Sequence, residues 1–256
     1  MLIKPPKEST LNGHMKKTQP AKSSIAEIKN RFDNDVDRFS NLDTGQAATV
    51  DAPLAMELIT EAAISATPKI DRVLDLGCGA GNNAIRLARS YPGEFQCDLC
   101  DLSGPMLERA KHRLSDDGVS AITIYEGDFR KADFKNSTYD VVIAAAVLHH
   151  LREDEDWEAS FQKIFNILRP GGSVWVTDLV TQENKRIYGM MWRRYGEYLE
   201  QLGGATYRDE VFTYIDKEDS PRSLSYQLDL MRQVGFSEVD VLHKNSCFAA
   251  FGGIKR

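Results

Sequence analysis

No stretch of this 256-residue chain stays apolar for long. The longest run, Val141 to Leu148, falls well short of the ~20 residues a membrane-spanning helix needs. The first residues hold no long apolar segment of the kind a secretory signal uses, so a cytoplasmic location is the expectation. Cysteine is scarce, with only Cys78, Cys97, Cys100 and Cys247 present. Cys97 and Cys100 have the C-x-x-C spacing of metal and redox sites, but no second pair completes a zinc site. An offset of three within a strand also puts them on opposite faces. They read as small buried hydrophobes, and no metal-ligand cluster is visible. Positive charge is not in excess either: 32 Lys and Arg stand against 38 Asp and Glu, a net charge of -6, which argues against a nucleic acid as main partner. No internal repeat is found. The remaining composition is that of an ordinary globular protein long enough for one large core.

What is present centres on Val73-Leu74-Asp75-Leu76-Gly77-Cys78-Gly79-Ala80-Gly81-Asn82-Asn83. Val73, Leu74 and Leu76 predict a buried strand, and Ala84, Ile85, Leu87 and Ala88 the apolar stripe of a helix. Between them three alternating glycines leave the backbone bare for a ligand and tolerate positive φ. The helix that follows offers free N–H groups at its start. The dinucleotide fingerprint is G-x-G-x-x-G. Here the third glycine comes one residue early, and Asp75 precedes the loop within the strand. This combination resembles motif I of the class I S-adenosylmethionine-dependent methyltransferases.

The rest of the chain follows in that family's order. Residues 1–23 are polar, with Pro5, Pro6, Gly13 and Pro20, and predict a disordered leader. A helix is expected from Ser24, with Ile25, Ile28 and Phe32 on one face, and Phe39 and Leu42 continue the apolar trace. Asp51 reads as the cap of a helix ending near Ala66, with Pro53 in its first turn. Residues 24–66 are thus an N-terminal helical cover. The second strand runs from Phe95 to Leu102, and Ser103 caps a helix carrying Leu107, Ala110 and Leu114. Ligands gather at the carboxyl ends of parallel strands, where a carboxylate such as Asp101 accepts from ribose hydroxyls. The third strand, Ile122 to Tyr125, exits into Glu126-Gly127-Asp128-Phe129, similar to the family's adenine-binding turn. The fourth exits into His149-His150, and either imidazole can take a proton near neutral pH or simply bond to backbone.

Trp157, Phe161, Ile164, Phe165 and Leu168 keep helical spacing up to the break Arg169-Pro170-Gly171-Gly172, and Ser173 to Leu179 is the fifth strand. Residues 181–220 interleave aromatics with arginines. They predict a helical lid over the acceptor site, with Arg208, Tyr195, Tyr198 and Tyr207 as substrate contacts, or a surface for a twin subunit. Ser220 and Pro221 are expected to open the last helix, with Leu224, Leu228 and Met231 inward and Gly235 as its stop. Val239 to His243 and Phe248 to Ile254 close the sheet.

The resemblance covers about Ala52 to Ile254. It implies a three-layer Rossmann-like α/β fold in residues 67–256, with seven strands of which only the last is antiparallel. It also implies S-adenosyl-L-methionine held by Asp75, Gly77, Cys78, Gly79, Asp101, Leu102, Met106, Asp128, Phe129 and Ala145. The activity implied is in-line methyl transfer to a small molecule, with His149 and His150 as candidate catalytic groups. The fourth strand lacks an Asn/Asp-Pro-Pro-Tyr/Phe exit, and no Pro-Cys pair is present, which sets aside the nucleic-acid base enzymes. Two other readings stay open. One is a carboxy-S-adenosylmethionine synthase, or an enzyme using that cofactor on transfer RNA wobble uridine. The other is a non-catalytic binder of the cofactor.

Overall fold

The computed structural model describes residues 22–41, 45–119 and 121–256. The expected disordered leader and Leu42 fall almost wholly outside these residues. α1 (Ile25–Asp33) starts at Ser24, whose hydroxyl accepts from the Glu27 amide while Glu27 bonds back to the Ser24 N–H, a reciprocal cap that satisfies two orphan donors. The short α2 (Val36–Ser40) and α3 (Ala52–Ala66) follow. Asp51 does precede α3, but its side chain makes no cap bond. The carboxylate turns instead to His243 Nε2 and Asn245 Nδ2, each at 2.8 Å, tying α3 to the far edge of the sheet.

The sheet is built from β1 (Arg72–Leu76), β2 (Gln96–Asp101), β3 (Ile122–Glu126), β4 (Tyr139–Ala145), β5 (Leu168–Leu179), β6 (Glu238–Asn245) and β7 (Phe248–Ile254). Their order is β3-β2-β1-β4-β5-β7-β6. β7 runs antiparallel to both β5 and β6, and every other pairing is parallel. The fold is therefore the Rossmann-like methyltransferase arrangement expected, with the last strand reversed. β4 is buried along its whole length, as a central strand covered on both faces must be. Helices α4 (Asn82–Ser90), α5 (Gly104–Asp116), α6 (Asp154–Ile167) and α8 (Leu224–Val234) flank the sheet. The two cysteines of β2 separate as their spacing dictates: Cys97 packs with Ile59, Ala84 and Leu107 on one face, and Cys100 with Phe129 and Trp157 on the other. All four cysteines are free and buried.

The α8 boundary differs from expectation. Ser223 is its cap, accepting from the Tyr226 amide, so Ser220 and Pro221 belong to the approach. Residues 181–220 are dominated by one long element, α7 (Lys185–Glu218), broken where Gly204 adopts φ 82°. A residue with a side chain resists that backbone, and the glycine lets the second half fold back. The aromatics of both halves then meet: Tyr195, Leu199 and Ile215 form a small core with Val50, Leu179 and Cys247, flanked by Trp192 and Phe212. No helix among the described residues is long and apolar enough to cross a membrane.

Candidate active site

The glycines after β1 make a cradle at the carboxyl end of the sheet. Gly77, Gly79 and Gly81 have φ of 63°, 49° and 83°, all in the left-handed region that favours glycine. A Cβ on Gly77 would sit 2.6 Å from Val147 Cγ2, whereas one on Gly79 would meet nothing within 4 Å. Gly79 thus faces open space: a cavity of 320 Å³ that Gly77, Cys78, Asp101, Leu102, Met106, Asp128, Phe129 and Ala145 also line. Its size is at the lower end of the range for small-molecule sites. From the N-terminal helices Ile25, Ile28, Phe32 and Phe39 complete the wall.

Asp101 braces the cradle, its carboxylate accepting from the Gly79 amide at 2.8 Å and the Ser103 amide at 2.9 Å. Burial pushes its pKa up, and those amides oppose the shift. Asp75 stands apart from the other residues of the cofactor set, because it does not line the cavity. It is fully buried beneath the loop. Burial raises its carboxyl to about 7, with the Ala84 amide opposing and the charge of Asp101 adding to the rise. Its place is in support of the turn. Asp128 lies on the wall but is already engaged: Arg130 Nη2 donates to it at 2.7 Å and Nε to both oxygens at 3.0 Å.

A second cavity of 510 Å³ opens beside the first, and Phe32, Phe39, Gln46, Asn83, Ala146 and His150 line both. Ala146, in the common wall, holds φ at 54°, a strained backbone for a residue with a Cβ. Its amide donates to Thr177 O at 2.7 Å, which anchors the conformation. Tyr195 and Tyr207 line the second cavity, as do His149, Asp178 and Asp219. Tyr195 and Tyr198 spend their hydroxyls on the Ala48 and Ala47 carbonyls, and Tyr198 borders neither cavity. Arg208 borders neither cavity. It pairs with its chain neighbour Asp209 at 2.9 Å and, across the fold-back at Gly204, with Glu200 at 3.1 Å.

His149 and His150 sit on a single 3₁₀ turn after β4. Asp178, at the end of β5, accepts from the His149 amide at 3.0 Å and pairs with its Nδ1. That leaves Nε2 facing Asp219, 3.7 Å away. Burial alone would lower the His149 pKa, but the Asp178 and Asp219 carboxylates outweigh it and raise it to about 9. His150 Nδ1 lies 3.1 Å from the same Asp219 oxygen. Burial disfavours the Asp219 charge, yet the two histidines and Arg31 hold its pKa below the ordinary value. Asp178 and Asp219 were absent from the sequence reading. Both are distant in the chain, and only the β5 end and the return of α7 bring them to the histidines. No metal-ligand cluster was visible in the sequence, but the fold brings ligand atoms of His149, His150 and Asp219 within 4.8 Å of one another.

Residues 73–172, the cradle through the start of β5, match the family model described as a methyltransferase domain. That segment is a match to a methyltransferase domain, and the proteins the chain is similar to include S-adenosylmethionine-dependent methyltransferases. An uncharacterized methyltransferase of Mycobacterium tuberculosis is 34% identical over 109 residues, which are 43% of this chain and 51% of that protein. The chain thus spans about half the length of that relative. A carboxy-S-adenosyl-L-methionine synthase of Nitratiruptor is 27% identical over 241 residues, covering 90% of this chain and 95% of that enzyme. Among solved structures, human N-acetylserotonin methyltransferase in complex with S-adenosylmethionine superposes with a TM-score of 0.57 at 21% identity, over 91% of this chain and 56% of that one. At that identity the likeness concerns the fold. That neighbour holds S-adenosylmethionine, and the residues lining the glycine cavity here suit such a group. Bare glycine backbone suits a close-packed chain, Asp101 is a carboxylate at a strand end, and Phe129 offers an apolar face.

Proposed function

We propose that the protein transfers the methyl group of S-adenosylmethionine to a small-molecule acceptor. The donor occupies the glycine-lined cavity, with Asp101 toward the ribose and Asp128 and Phe129 toward the adenine. The acceptor occupies the second cavity, enclosed by α1, α2 and the folded-back α7, which act as cover and lid. The observation that carries this reading is the wall common to both cavities at Ala146 and His150. A methyl crossing there travels in line from sulfur to acceptor while the electron pair of the breaking C–S bond stays on sulfur. The chain's part is alignment and exclusion of water. Because the Asp178 and Asp219 charges favour the protonated form of His149 at neutral pH in the metal-free chain, that imidazole does not serve to take the acceptor's proton. Incubation with methyl-labelled S-adenosylmethionine and a fractionated metabolite extract tests the reading. Label should pass to a small molecule in the wild type and fail to pass in Ala146→Leu, which blocks the wall. Label remaining wholly on the cofactor would count against transfer and for a non-catalytic binder.

The long alignment with the carboxy-S-adenosylmethionine synthase supports a second reading. An added carboxylate in the second cavity needs a cation, and the arginines there are engaged: Arg31 by Glu218 at 2.9 Å and Arg38 by Asp35. The synthase reading therefore requires one of those pairs to open. Mass spectrometry of the co-purified cofactor separates the two, since a carboxylated cofactor differs in mass from S-adenosylmethionine.

A further inference from the structure

We propose that His149 Nε2, His150 Nδ1 and Asp219 Oδ1 bind a single divalent transition-metal ion at the wall of the second cavity. Two observations carry this independently. First, His150 Nδ1 and Asp219 Oδ1 are buried and lack hydrogen-bond partners, although they lie only 3.1 Å apart. Buried polar atoms left unpaired in this way call for an unseen partner. Second, the separations suit an ion. Two ligand atoms each about 2.1 Å from a metal lie roughly 3.0–3.6 Å apart at angles of about 90–120°, and here the pairs with Asp219 measure 3.1 Å and, at the wide end, 3.7 Å.

The surroundings are those of a metal centre. The Asp178 carboxylate, bound to the Leu179 amide at 2.8 Å and to His149 Nδ1, orients that ring through the nitrogen away from the cluster, as second-shell carboxylates do. The Asp219 end of α7 is fixed to the histidine turn, because the Ser220 amide donates to His149 O at 2.7 Å. Asp178 and Asp219 have side chains 0% and 3% exposed, and their two negative charges balance one divalent ion bound by neutral imidazoles. Two histidines and one carboxylate leave coordination positions open toward the cavity. Such an ion would select an acceptor with two adjacent oxygen donors, a vicinal diol or an α-hydroxy carbonyl, held by chelation against the common wall. This last step rests on the methyl-transfer reading, and metal binding itself does not.

The test is titration of the chelator-stripped full-length protein with Co²⁺, read by its visible absorption and by metal content after desalting. One Co²⁺ per chain is expected, weakened on the order of 100-fold by the isosteric Asp219→Asn and 10- to 100-fold by Asp178→Asn. S-adenosylhomocysteine binding, in a cavity that neither residue lines, verifies that each variant is folded. No uptake up to roughly 1 mM, or uptake unchanged in Asp219→Asn, overturns the proposal. Uptake of Co²⁺ without S-adenosylhomocysteine binding supports the metal site and removes the methyl-transfer reading.

Discussion

Replacing Gly77 with Ala should damage the fold through two separable terms. The first is backbone: at φ 63° an L residue pays about 1–2 kcal/mol. The second is steric. The new Cβ would stand 2.6 Å from Val147 Cγ2 and 2.7 Å from Val147 Cβ, where ordinary contact begins near 3.4 Å. Val147 is β-branched and stiff at χ1, so it cannot swing aside cheaply, and overpacking of this kind costs roughly 1–3 kcal/mol. The total is about 3 kcal/mol. Gly79→Ala carries only the first term, because its Cβ meets no atom within 4 Å, and should cost about 1–2 kcal/mol. Urea denaturation of Gly77→Ala, Val147→Gly and the double variant isolates the clash. The double variant should be more stable than the sum of the singles by at least about 1 kcal/mol, a coupling expected of residues in contact. Additivity within about 0.5 kcal/mol would refute the packing argument and leave only backbone strain.

Three further outcomes follow. Asp101→Ala removes the acceptor of the Gly79 and Ser103 amides, so calorimetry should show at least roughly tenfold weaker S-adenosylhomocysteine binding together with about 1–3 kcal/mol of lost stability. An unchanged dissociation constant would dismiss Asp101 from the site. His149 has a folded pKa of about 9 against an ordinary 6.5, so its stabilisation is fully present below pH 6.5 and lost as pH rises through 9. In chelator-treated protein the stability advantage over His149→Gln should shrink between pH 6 and 9.5 by on the order of 3 kcal/mol, and a constant difference would contradict the ion-pair account. Ala146→Gly, at φ 54°, should be neutral to about 1 kcal/mol more stable in thermal melts, since relief of left-handed strain outweighs the added chain freedom. A loss above about 1 kcal/mol would mean that the Cβ, not the backbone, is what the site needs.

The fold was legible because its signals are local. Strand, glycine turn and helix follow each other within one short stretch, and the burial of β4 is written as an unbroken apolar run. Asp101 could be placed on the cavity wall because it ends a strand that its own sequence marks. Asp75 was placed one layer too far out, since alternation along a strand says which face a residue takes but not whether a loop covers it. The surroundings of Arg208 were hidden for a different reason: its pairing with Glu200 depends on the fold-back at Gly204, and one glycine within a helical pattern does not announce a hairpin. Asp51 kept its position before α3 but gave its carboxylate to β6, a long-range preference that no local rule contains. Asp178 and Asp219 were invisible as site residues because their meaning comes from tertiary proximity to His149 and His150.

The claim that the glycine cradle is the S-adenosylmethionine site is tested most directly by calorimetry of wild type and Gly79→Asn. Asparagine tolerates left-handed φ, so the variant should fold, while its side chain enters the space that Gly79 leaves open. The account predicts one S-adenosylhomocysteine per wild-type chain, no binding of NAD, and affinity reduced at least roughly tenfold, about 1.4 kcal/mol, in the variant. Absence of S-adenosylhomocysteine binding in the wild type, or equal affinity in a folded Gly79→Asn, would contradict it.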